Sequence, residues 1–300
     1  MIDSIFVGNT YYGEEGYLNL LEDTLAYGSR IENDRTQIGT INTFNAQIHW
    51  NLATDFPFCT HRPAPLRMAF EELWFFLRGQ TDTKILQEKG INFWKGNTSR
   101  EFLDARGLTY LREGDLGRAY SKQFREYDGW VDQLKNVWHG LLNDPYSRRH
   151  HVTLWNPAES HLMALTPCWY AHTFMVTPPQ TDCGKPVLNM KLMNRSCDLV
   201  YGYFFAAQQY ALYQLAMAES LGYNVGYMVT DMTNVHVYTN QVDYAKEILQ
   251  RDLGEAGKVS FKDILYRYLD ILDMEWEDII VEGLVVNKQP FVTPRPPMAV

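Results

Sequence analysis

The stretch from Phe205 to Leu221 constrains the fold more than any other part of the chain. It is almost entirely apolar, and it ends at Gly222. A helix that is apolar on most sides is expected to be buried in the centre of a domain, and glycine is common just past a helix C-terminus. We therefore expect a central core helix here. The chain of 300 residues is long enough to pack a sizeable core around it.

Hydrophobic spacing predicts further helices and strands. Leucines at helical spacing before Gly28, the segment 65–77 before Gly79, and the segment 129–142 predict amphipathic helices. Other segments predict strands at 151–155, 170–176, 188–192 and 227–232, and a last helix at 235–249. Because we find no internal repeat and no low-complexity linker, we expect a single domain over residues 1–300.

Charge and hydropathy argue against two classes of partner. The net charge is −9 and the pI is about 5.4. A broad electrostatic grip on nucleic acid is not expected, since such binding rests on many Lys and Arg side chains. No run approaches the ~18 apolar residues of a membrane span, and the start of the chain lacks the basic and apolar regions of a signal peptide. We expect a cytoplasmic protein that binds neither nucleic acid nor membranes.

The cysteines favour free thiols. The four cysteines show no Cys-x-x-Cys spacing and are too few for a disulfide scaffold at this length. We expect a reducing compartment and no metal site. Cys168 follows Thr166-Pro167 at the head of a predicted strand, where a side chain can be presented to a ligand. A cysteine in an apolar setting is more often an inert buried thiol, so Cys168 alone is weak evidence for a nucleophile.

Three other sets of polar residues have both a functional and a structural interpretation. Arg148 and Arg149 leave a turn before a strand, which suits phosphate oxygens, but adjacent arginines are more often a solvated charge pair. Arg195 lies where the chain should be partly buried, so it needs either a ligand phosphate or a structural ion pair. His236 and Tyr238 project to one side if extended, where they could bind a sugar hydroxyl or pack with satisfied polar tips.

Seven short motifs occur along the chain in the order in which thymidylate synthases have them. They are Asn33-Asp34-Arg35-Thr36, Gly114-Asp115-Leu116-Gly117, Ser147-Arg148-Arg149, Leu165-Thr166-Pro167-Cys168, Arg195-Ser196-Cys197-Asp198, His236-Val237-Tyr238 and Met298-Ala299-Val300. The ordered set is far more specific than any one motif, and the chain resembles the thymidylate synthase family over nearly its whole length. The resemblance implies an α+β fold in which a mixed sheet packs with helices and one sheet face forms the dimer interface.

The resemblance implies one-carbon transfer chemistry. Cys168 adds to C6 of a pyrimidine nucleotide, so that C5 attacks the methylene of 5,10-methylenetetrahydrofolate, the implied co-substrate. Glu72 matches a glutamate that moves protons through water, although a surface glutamate is the other interpretation. Tyr120 matches a tyrosine that helps to remove the C5 proton. Trp94 and the complete tail favour hydride transfer, hence methylation rather than hydroxymethylation.

The resemblance also implies binding roles. The phosphate is assigned to Arg35, Arg148, Arg149, Arg195 and Ser196. Arg148 and Arg149 reach the phosphate of the neighbouring subunit in this family, which implies an obligate homodimer with shared sites. The 3′-hydroxyl of the sugar is assigned to His236 and Tyr238. The folate side is assigned to Trp94, Leu165, Asp198, Gly202 and Val300.

Two positions depart from the family pattern at the base-reading edge. The family's Pro-Cys-His is here Pro167-Cys168-Trp169, and its Pro-Phe-Asn is here Phe204-Phe205-Ala206. In the family that asparagine bonds N3 and O4 of uracil, and related deoxycytidylate hydroxymethylases carry aspartate. Loss of such a polar reader can cost several powers of ten in discrimination. We therefore predict cytosine as the base and methylation of dCMP, with the amino group read by water, Asn194, Gln208 or Trp169.

Three alternatives stay open. The first is a thymidylate synthase that converts dUMP to dTMP through rearranged uracil contacts. The second is a hydroxymethylase of dCMP, dUMP or CMP, and the third is an inactive homologue that serves as a regulatory nucleotide-binding module. The 3′-hydroxyl readers do not inspect the 2′ position, so ribose and deoxyribose both fit. A viral protein in the host cytoplasm would also suit an altered pyrimidine.

Overall fold

The structure, a computed structural model, combines helices with one large sheet and describes residues 7–32, 37–179, 184–263 and 265–297. Within these residues the strands are β1 (Thr10–Tyr12), β2 (Ser29–Ile31), β3 (Thr40–Asn51), β4 (His151–Thr153), β5 (Trp169–Thr177), β6 (Val187–Asn194), β7 (Cys197–Asp198), β8 (Asn224–Tyr238), β9 (Lys258–Phe261) and β10 (Ile279–Glu282). The helices are α1 (Gly13–Tyr27), α2 (Leu66–Leu77), α3 (Lys84–Glu88), α4 (Arg100–Ala105), α5 (Tyr120–Arg125), α6 (Gln133–Asn143), α7 (Tyr203–Ser220), α8 (Val242–Leu249) and α9 (Tyr268–Asp273).

The large sheet is mixed. Its strand order is β1-β3-β8-β6-β5-β4, with β2 paired to β3 and β7 paired to β8. β8 runs antiparallel to β3 and parallel to β6, and β6 runs antiparallel to β5. β9 and β10 form a separate antiparallel pair. The prediction of an α+β fold with a mixed sheet packed against helices is confirmed.

Helix α7 is the central helix that the apolar stretch predicted. Most of its side chains are buried all around the helix. Gln214 Nε2 donates to the backbone oxygens of Leu188 at 2.9 Å and Tyr227 at 3.1 Å, which ties the helix to β6 and β8. Gly222 follows the helix with a φ of +71°, a conformation that side chains other than glycine rarely adopt. No helix among the described residues combines the length and the apolar character needed to cross a bilayer.

The two faces of the sheet differ. Leu188, Met190 and Leu192 are buried on the face that packs against α7, as the alternating pattern predicted. On the opposite face Met175 is 63% exposed and Tyr227 is 48% exposed. Apolar side chains therefore reach solvent on a sheet face that also carries the Lys191–Asp231 ion pair.

Two sequence predictions need correction. The helix expected over 235–249 is wrong in its first part, because residues 235–238 complete β8 and α8 begins only at Val242. Backbone pairing with β3 on one side and β7 on the other holds that segment extended. Strand β3 was missed, although its buried Ala46, Ile48 and Trp50 alternate with more exposed residues. The expected strand over 151–155 ends at Thr153.

Candidate active site

A pocket between α2, α7 and the start of β5 brings together residues that are distant in sequence. Its lining among the described residues consists of Glu72, Leu73, Phe76, Trp94, Tyr120, Trp169, Gly202, Phe205, Ala206, Gln209 and Tyr210. Six of these are residues that the family resemblance had indicated as site residues: Glu72, Trp94, Tyr120, Trp169, Gly202 and Ala206. Carboxyl, phenol, amide and aromatic groups thus share one concave site, the usual arrangement of a small-molecule site.

Glu72 is buried on α2 and accepts two hydrogen bonds at its carboxylate. Trp94 Nε1 donates to Oε1 at 2.6 Å, and Gln209 Nε2 donates to Oε2 at 2.7 Å. Burial raises the pKa of this carboxyl to about 7, and the two neutral donors oppose that rise. The carboxyl therefore holds its proton to a higher pH than an ordinary glutamate, which suits a group that exchanges protons near neutral pH. Its burial also excludes the surface interpretation.

Cys168 lies immediately before β5 in a turn that Arg195 holds. Arg195 Nε donates to the backbone oxygen of Pro167 at 2.9 Å, and its Nη2 donates to that of Thr166 at 3.0 Å. The same Nη2 lies 3.9 Å from Sγ of Cys168. A guanidinium charge therefore stands beside a half-buried thiol, where it stabilises negative charge that develops on sulfur.

Tyr120 joins the cysteine to the pocket. Its hydroxyl accepts a hydrogen bond from the backbone N–H of Cys168 at 2.8 Å, and its ring stacks on Phe76 with centroids 4.8 Å apart. Burial and the neighbouring Cys168 raise the pKa of the phenol well above its ordinary value. Tyr120 therefore keeps its proton at neutral pH, and the hydroxyl can donate toward a ligand.

The predicted phosphate residues fall into two groups. Arg195 and Ser196 are half-buried between β6 and β7. Arg148 and Arg149 are exposed in the turn between α6 and β4, and neither lines the pocket of Glu72. The structure therefore does not bring the two groups together at one site in this chain. Arg35 lies outside the described residues.

The two predicted sugar residues lie on one side of β8. His236 and Tyr238 have ring centroids 5.1 Å apart in an edge-to-face arrangement. Nδ1 of His236 lies 2.9 Å from Oδ1 of Asn234. Burial lowers the pKa of His236 to about 4, so the ring is neutral near pH 7 and carries one donor and one acceptor. The pair is able to bind a hydroxyl group. The condition set for this role, an extended segment, holds because β8 rather than the expected helix contains both residues.

The predicted folate residues are only partly at the pocket. Trp94 and Gly202 line it, whereas Leu165 and Asp198 do not. Asp198 Oδ1 instead accepts hydrogen bonds from the backbone of Val200 at 2.8 Å and Tyr201 at 3.2 Å, which shapes the turn into α7. Burial raises the pKa of Asp198. Val300 lies outside the described residues.

The residues predicted to recognise the base contribute only a methyl group and an aromatic ring to the pocket wall. Ala206 and Trp169 are on the pocket wall, while Asn194 and Gln208 are not. Asn194 pairs with Trp169 across β6 and β5, and it is 1% exposed. Neither its amide nitrogen nor its amide oxygen has a hydrogen-bond partner in the described part of the chain. Of the residues predicted to recognise the base, Ala206 and Trp169 therefore line the pocket, whereas Asn194 does not.

Comparison with known proteins identifies the family. The family profile named thymidylate synthase matches residues 15–291. The chain belongs to the thymidylate synthase family. It is 35% identical over 295 residues to a thymidylate synthase of Candida albicans, covering 90% of this chain and 93% of that protein. It is 35% identical over 285 residues to a thymidylate synthase of Saccharomyces cerevisiae, covering 90% and 92%.

Other relatives of this family member are longer. A bifunctional dihydrofolate reductase-thymidylate synthase of Leishmania major is 39% identical over 283 residues, which cover 89% of this chain and 53% of that protein. The chain therefore spans about half the length of such bifunctional relatives. Thymidylate synthases are one-carbon transferases that use 5,10-methylenetetrahydrofolate, so the resemblance read from the seven motifs is confirmed at the level of the family.

Gln209 is the missed site residue that contacts the Glu72 carboxyl; Leu73, Phe76, Phe205 and Tyr210 also line the pocket and were not predicted. Gln209 was passed over because its partner, Glu72, is 137 positions earlier in the chain. One signal was available, since residues three apart share a helix face and Gln209 stands three positions after Ala206.

Within the described residues, Glu14, Cys59 and His61 form one grouping with metal-ligand atoms close together. Glu14 Oε1 already accepts hydrogen bonds from the backbone N–H of His61 at 3.1 Å and pairs with Nδ1 of the same ring at 2.6 Å. Burial raises the pKa of the Cys59 thiol to about 12, so a thiolate ligand is disfavoured at neutral pH. The grouping is explained as a hydrogen-bonded structural cluster.

Proposed function

We propose that the protein is a thymidylate synthase, which transfers a one-carbon unit from 5,10-methylenetetrahydrofolate to C5 of dUMP and releases dTMP. Family membership supports this function, together with two relatives named thymidylate synthase that align along more than nine-tenths of their own length. The observation that carries the proposal is the joining of Cys168, Tyr120 and Arg195 by short contacts beside a pocket that holds a buried carboxyl.

In the proposed reaction, Sγ of Cys168 forms a bond to C6 of the base, and the Arg195 guanidinium stabilises the thiolate before attack. The bond to C6 makes C5 electron-rich. Tyr120, fixed against the cysteine backbone, is placed to assist removal of the C5 proton. Glu72 takes up or releases a proton through water, since its pKa of about 7 keeps both states populated.

The pocket residues fit a folate. Trp94 and Phe76 contact each other edge to face, with ring centroids 6.1 Å apart, and both line the pocket with aromatic surface against which a planar ring system can pack. A Cβ on Gly202 would lie 3.0 Å from the backbone oxygen of Asp198, so glycine keeps the start of α7 open. The bound folate supplies the electrophilic methylene and then the hydride, while the chain orients it and excludes water.

A second candidate function, methylation of dCMP, is favoured by one observation. Ala206 lines the pocket at the position where the family pattern has an amide, so this wall offers the base a methyl group. The family comparisons favour dUMP, and we therefore rank dCMP second.

Mass spectrometry of reactions with methylenetetrahydrofolate and each of dUMP, dCMP, UMP and CMP tests both candidates. We expect the largest kcat/KM with dUMP and a product heavier by one methyl group. A larger kcat/KM with dCMP would establish the second candidate. A hydroxymethyl product would overturn the proposed hydride step, and no covalent complex with 5-fluoro-dUMP and folate would indicate an inactive homologue.

We also propose that the protein acts as a homodimer through the open face of the large sheet. Exposed Met175 and Tyr227 on that face support this assembly, because a partner subunit that covers them would remove apolar area from water. The exposed pair Arg148 and Arg149 supports it further, since a partner's phosphate gives both guanidinium groups a counter-charge.

A further inference from the structure

We propose that Gln209 is a positioning residue that holds the Glu72 carboxyl in one place in both of its protonation states. The proposal rests on the proton-transfer role of Glu72 in the proposed function. It assigns to Gln209 a task that no motif in the sequence indicates.

The carboxyl of Glu72 is clamped between two side chains from different parts of the chain. Trp94 donates to Oε1 at 2.6 Å, and Gln209 on α7 donates to Oε2 at 2.7 Å. Glu72 is 8% exposed and Gln209 is 5% exposed, so bulk water does not readily replace either contact. Ala206, one turn earlier on the same helix face, has no polar group that competes for the Gln209 carboxamide.

The two donors differ in what they can do when the carboxyl gains a proton. An indole N–H only donates, so Oε1 of Glu72 remains an acceptor opposite Trp94. A carboxamide has an NH₂ group at one end of its fork and a carbonyl oxygen at the other. When Oε2 is protonated, a half-turn of the Gln209 carboxamide presents its oxygen to the new O–H. The proton is therefore directed to Oε2, and the carboxyl does not move.

The hydrogen bonds from Trp94 and Gln209 are the main contacts that lower the pKa of Glu72, because its other neighbours are neutral. The titratable groups that face Glu72 are the phenols of Tyr120 on α5 and Tyr210 on α7, and burial raises the pKa of both. Both phenols are neutral near pH 7. Among the described residues, no cation and no second carboxylate contributes to the pKa of Glu72. Hydrogen bonding by Trp94 and Gln209 is thus what opposes the effect of burial.

The test uses Gln209→Met, which keeps the length of the side chain and removes both hydrogen-bonding ends. Infrared spectra recorded across pH follow the carboxylic-acid C=O band of Glu72, identified by its loss in Glu72→Gln. We expect the midpoint to rise by about one pH unit, because one hydrogen bond to the ionised form is lost. The band is measured without substrate, so the result stands even if dUMP is not turned over. If dUMP is turned over, the pH limb of kcat should move in the same direction.

Gln214→Met is the matched control, because Gln214 is a buried glutamine of the same helix that bonds only strand backbone. It should lower stability and leave the midpoint unchanged. An unmoved midpoint in Gln209→Met, or equal movement in both variants, overturns the proposal. If Gln209→Met does not fold, Gln209→Glu takes its place. It keeps the shape of the side chain and places a second carboxyl beside Glu72, so the midpoint must rise above that of the wild type. A midpoint that does not rise there also overturns the proposal.

Discussion

Cys168 and Glu72 have opposite electrostatic surroundings at neighbouring places in the candidate site. The thiol has the Arg195 guanidinium at 3.9 Å, which favours its anion. The carboxyl is buried, which favours its acid, and the hydrogen bonds from Trp94 and Gln209 only partly oppose that effect. Environments that push two titratable groups in opposite directions separate a nucleophile from a proton carrier.

Replacement of the nucleophile gives the first prediction. Cys168→Ser should reduce kcat by at least about 10³-fold, because a hydroxyl is a far weaker nucleophile than a thiolate at neutral pH. Steady-state kinetics and trapping with 5-fluoro-dUMP measure the effect.

Cys59→Ala is the matched control, since Cys59 is buried in the Glu14–His61 cluster. It should cost about 1 kcal/mol of stability and retain turnover. Turnover by Cys168→Ser within tenfold of the wild type would contradict the assigned role.

The raised pKa of Glu72 gives a prediction about stability. The folded protein binds the proton more tightly than the unfolded chain, so the stabilisation is complete below pH 4.5 and is lost as the pH rises to about 7. The difference in the pKa of Glu72 between the folded and unfolded states corresponds to about 3 kcal/mol in the free energy of unfolding. Glu72→Gln should therefore gain stability relative to the wild type by about this amount between pH 4.5 and pH 7, and no more above it.

Urea unfolding of both proteins at a series of pH values measures this difference. Groups elsewhere titrate alike in the two proteins and cancel in the comparison. A difference in the free energy of unfolding that does not vary with pH would show that Glu72 ionises normally.

At the scale of elements, helix α8 anchors the C-terminal tail. Glu247 accepts hydrogen bonds from the backbone N–H groups of Val292 and Thr293, both at 2.7 Å. Arg251 donates to the backbone oxygen of Gln289 at 2.8 Å, and its guanidinium lies over the Phe291 ring at 4.2 Å. These contacts hold residues 289–293 against Glu247 and Arg251.

Release of this anchor gives the third prediction. Glu247→Ala should raise the KM for methylenetetrahydrofolate several-fold, since the family resemblance assigns Val300, at the end of this tail, to the folate side. Initial-rate kinetics with varied folate measure it. Asp243→Ala on the same helix removes an exposed carboxylate that contacts Lys246 and should leave the KM unchanged. Equal effects of the two substitutions would mean that charge, rather than the anchor, matters.

At the scale of the whole molecule, the sheet has one face inside the core and one face that carries exposed Met175 and Tyr227. A homodimer through that face would bury these side chains and bring the Arg148-Arg149 turn of one subunit toward the other. Sites would then be shared between subunits.

A charge on the open face gives the fourth prediction. Met175→Lys should shift analytical ultracentrifugation profiles from dimer to monomer and reduce turnover, because an unpaired buried charge opposes association. Trp130→Lys, at a side chain 78% exposed, is the control and should remain dimeric. A monomeric wild-type protein that is fully active would refute shared sites.

Mixed subunits give the fifth prediction. Cys168→Ser and Arg149→Ala should each have low activity alone. When they are mixed and allowed to exchange, part of the activity should return, since a hybrid dimer has one site in which both residues are intact. No recovery after verified exchange would place Arg149 outside its partner's site.

Some elements followed from local pattern. The apolar stretch near 205–221 predicted α7, and the alternation around Met190 predicted β6, because both patterns report burial directly. The segment 235–238 was assigned to a helix and is a strand, because its pairing partners lie far away in sequence. β3 was missed for a similar reason, since it depends on pairing with β8.

The sequence by itself determined the family, because its ordered motifs are local and specific, and it predicted Cys168 as the nucleophile on the same basis. It also determined the central helix through its composition. Only the tertiary structure decided that Glu72 is buried, that Trp94 and Gln209 clamp its carboxyl, and that Arg195 stands beside the thiol. Each of these depends on contacts across different elements, and both desolvation and hydrogen bonding are properties of the packed site rather than of any segment.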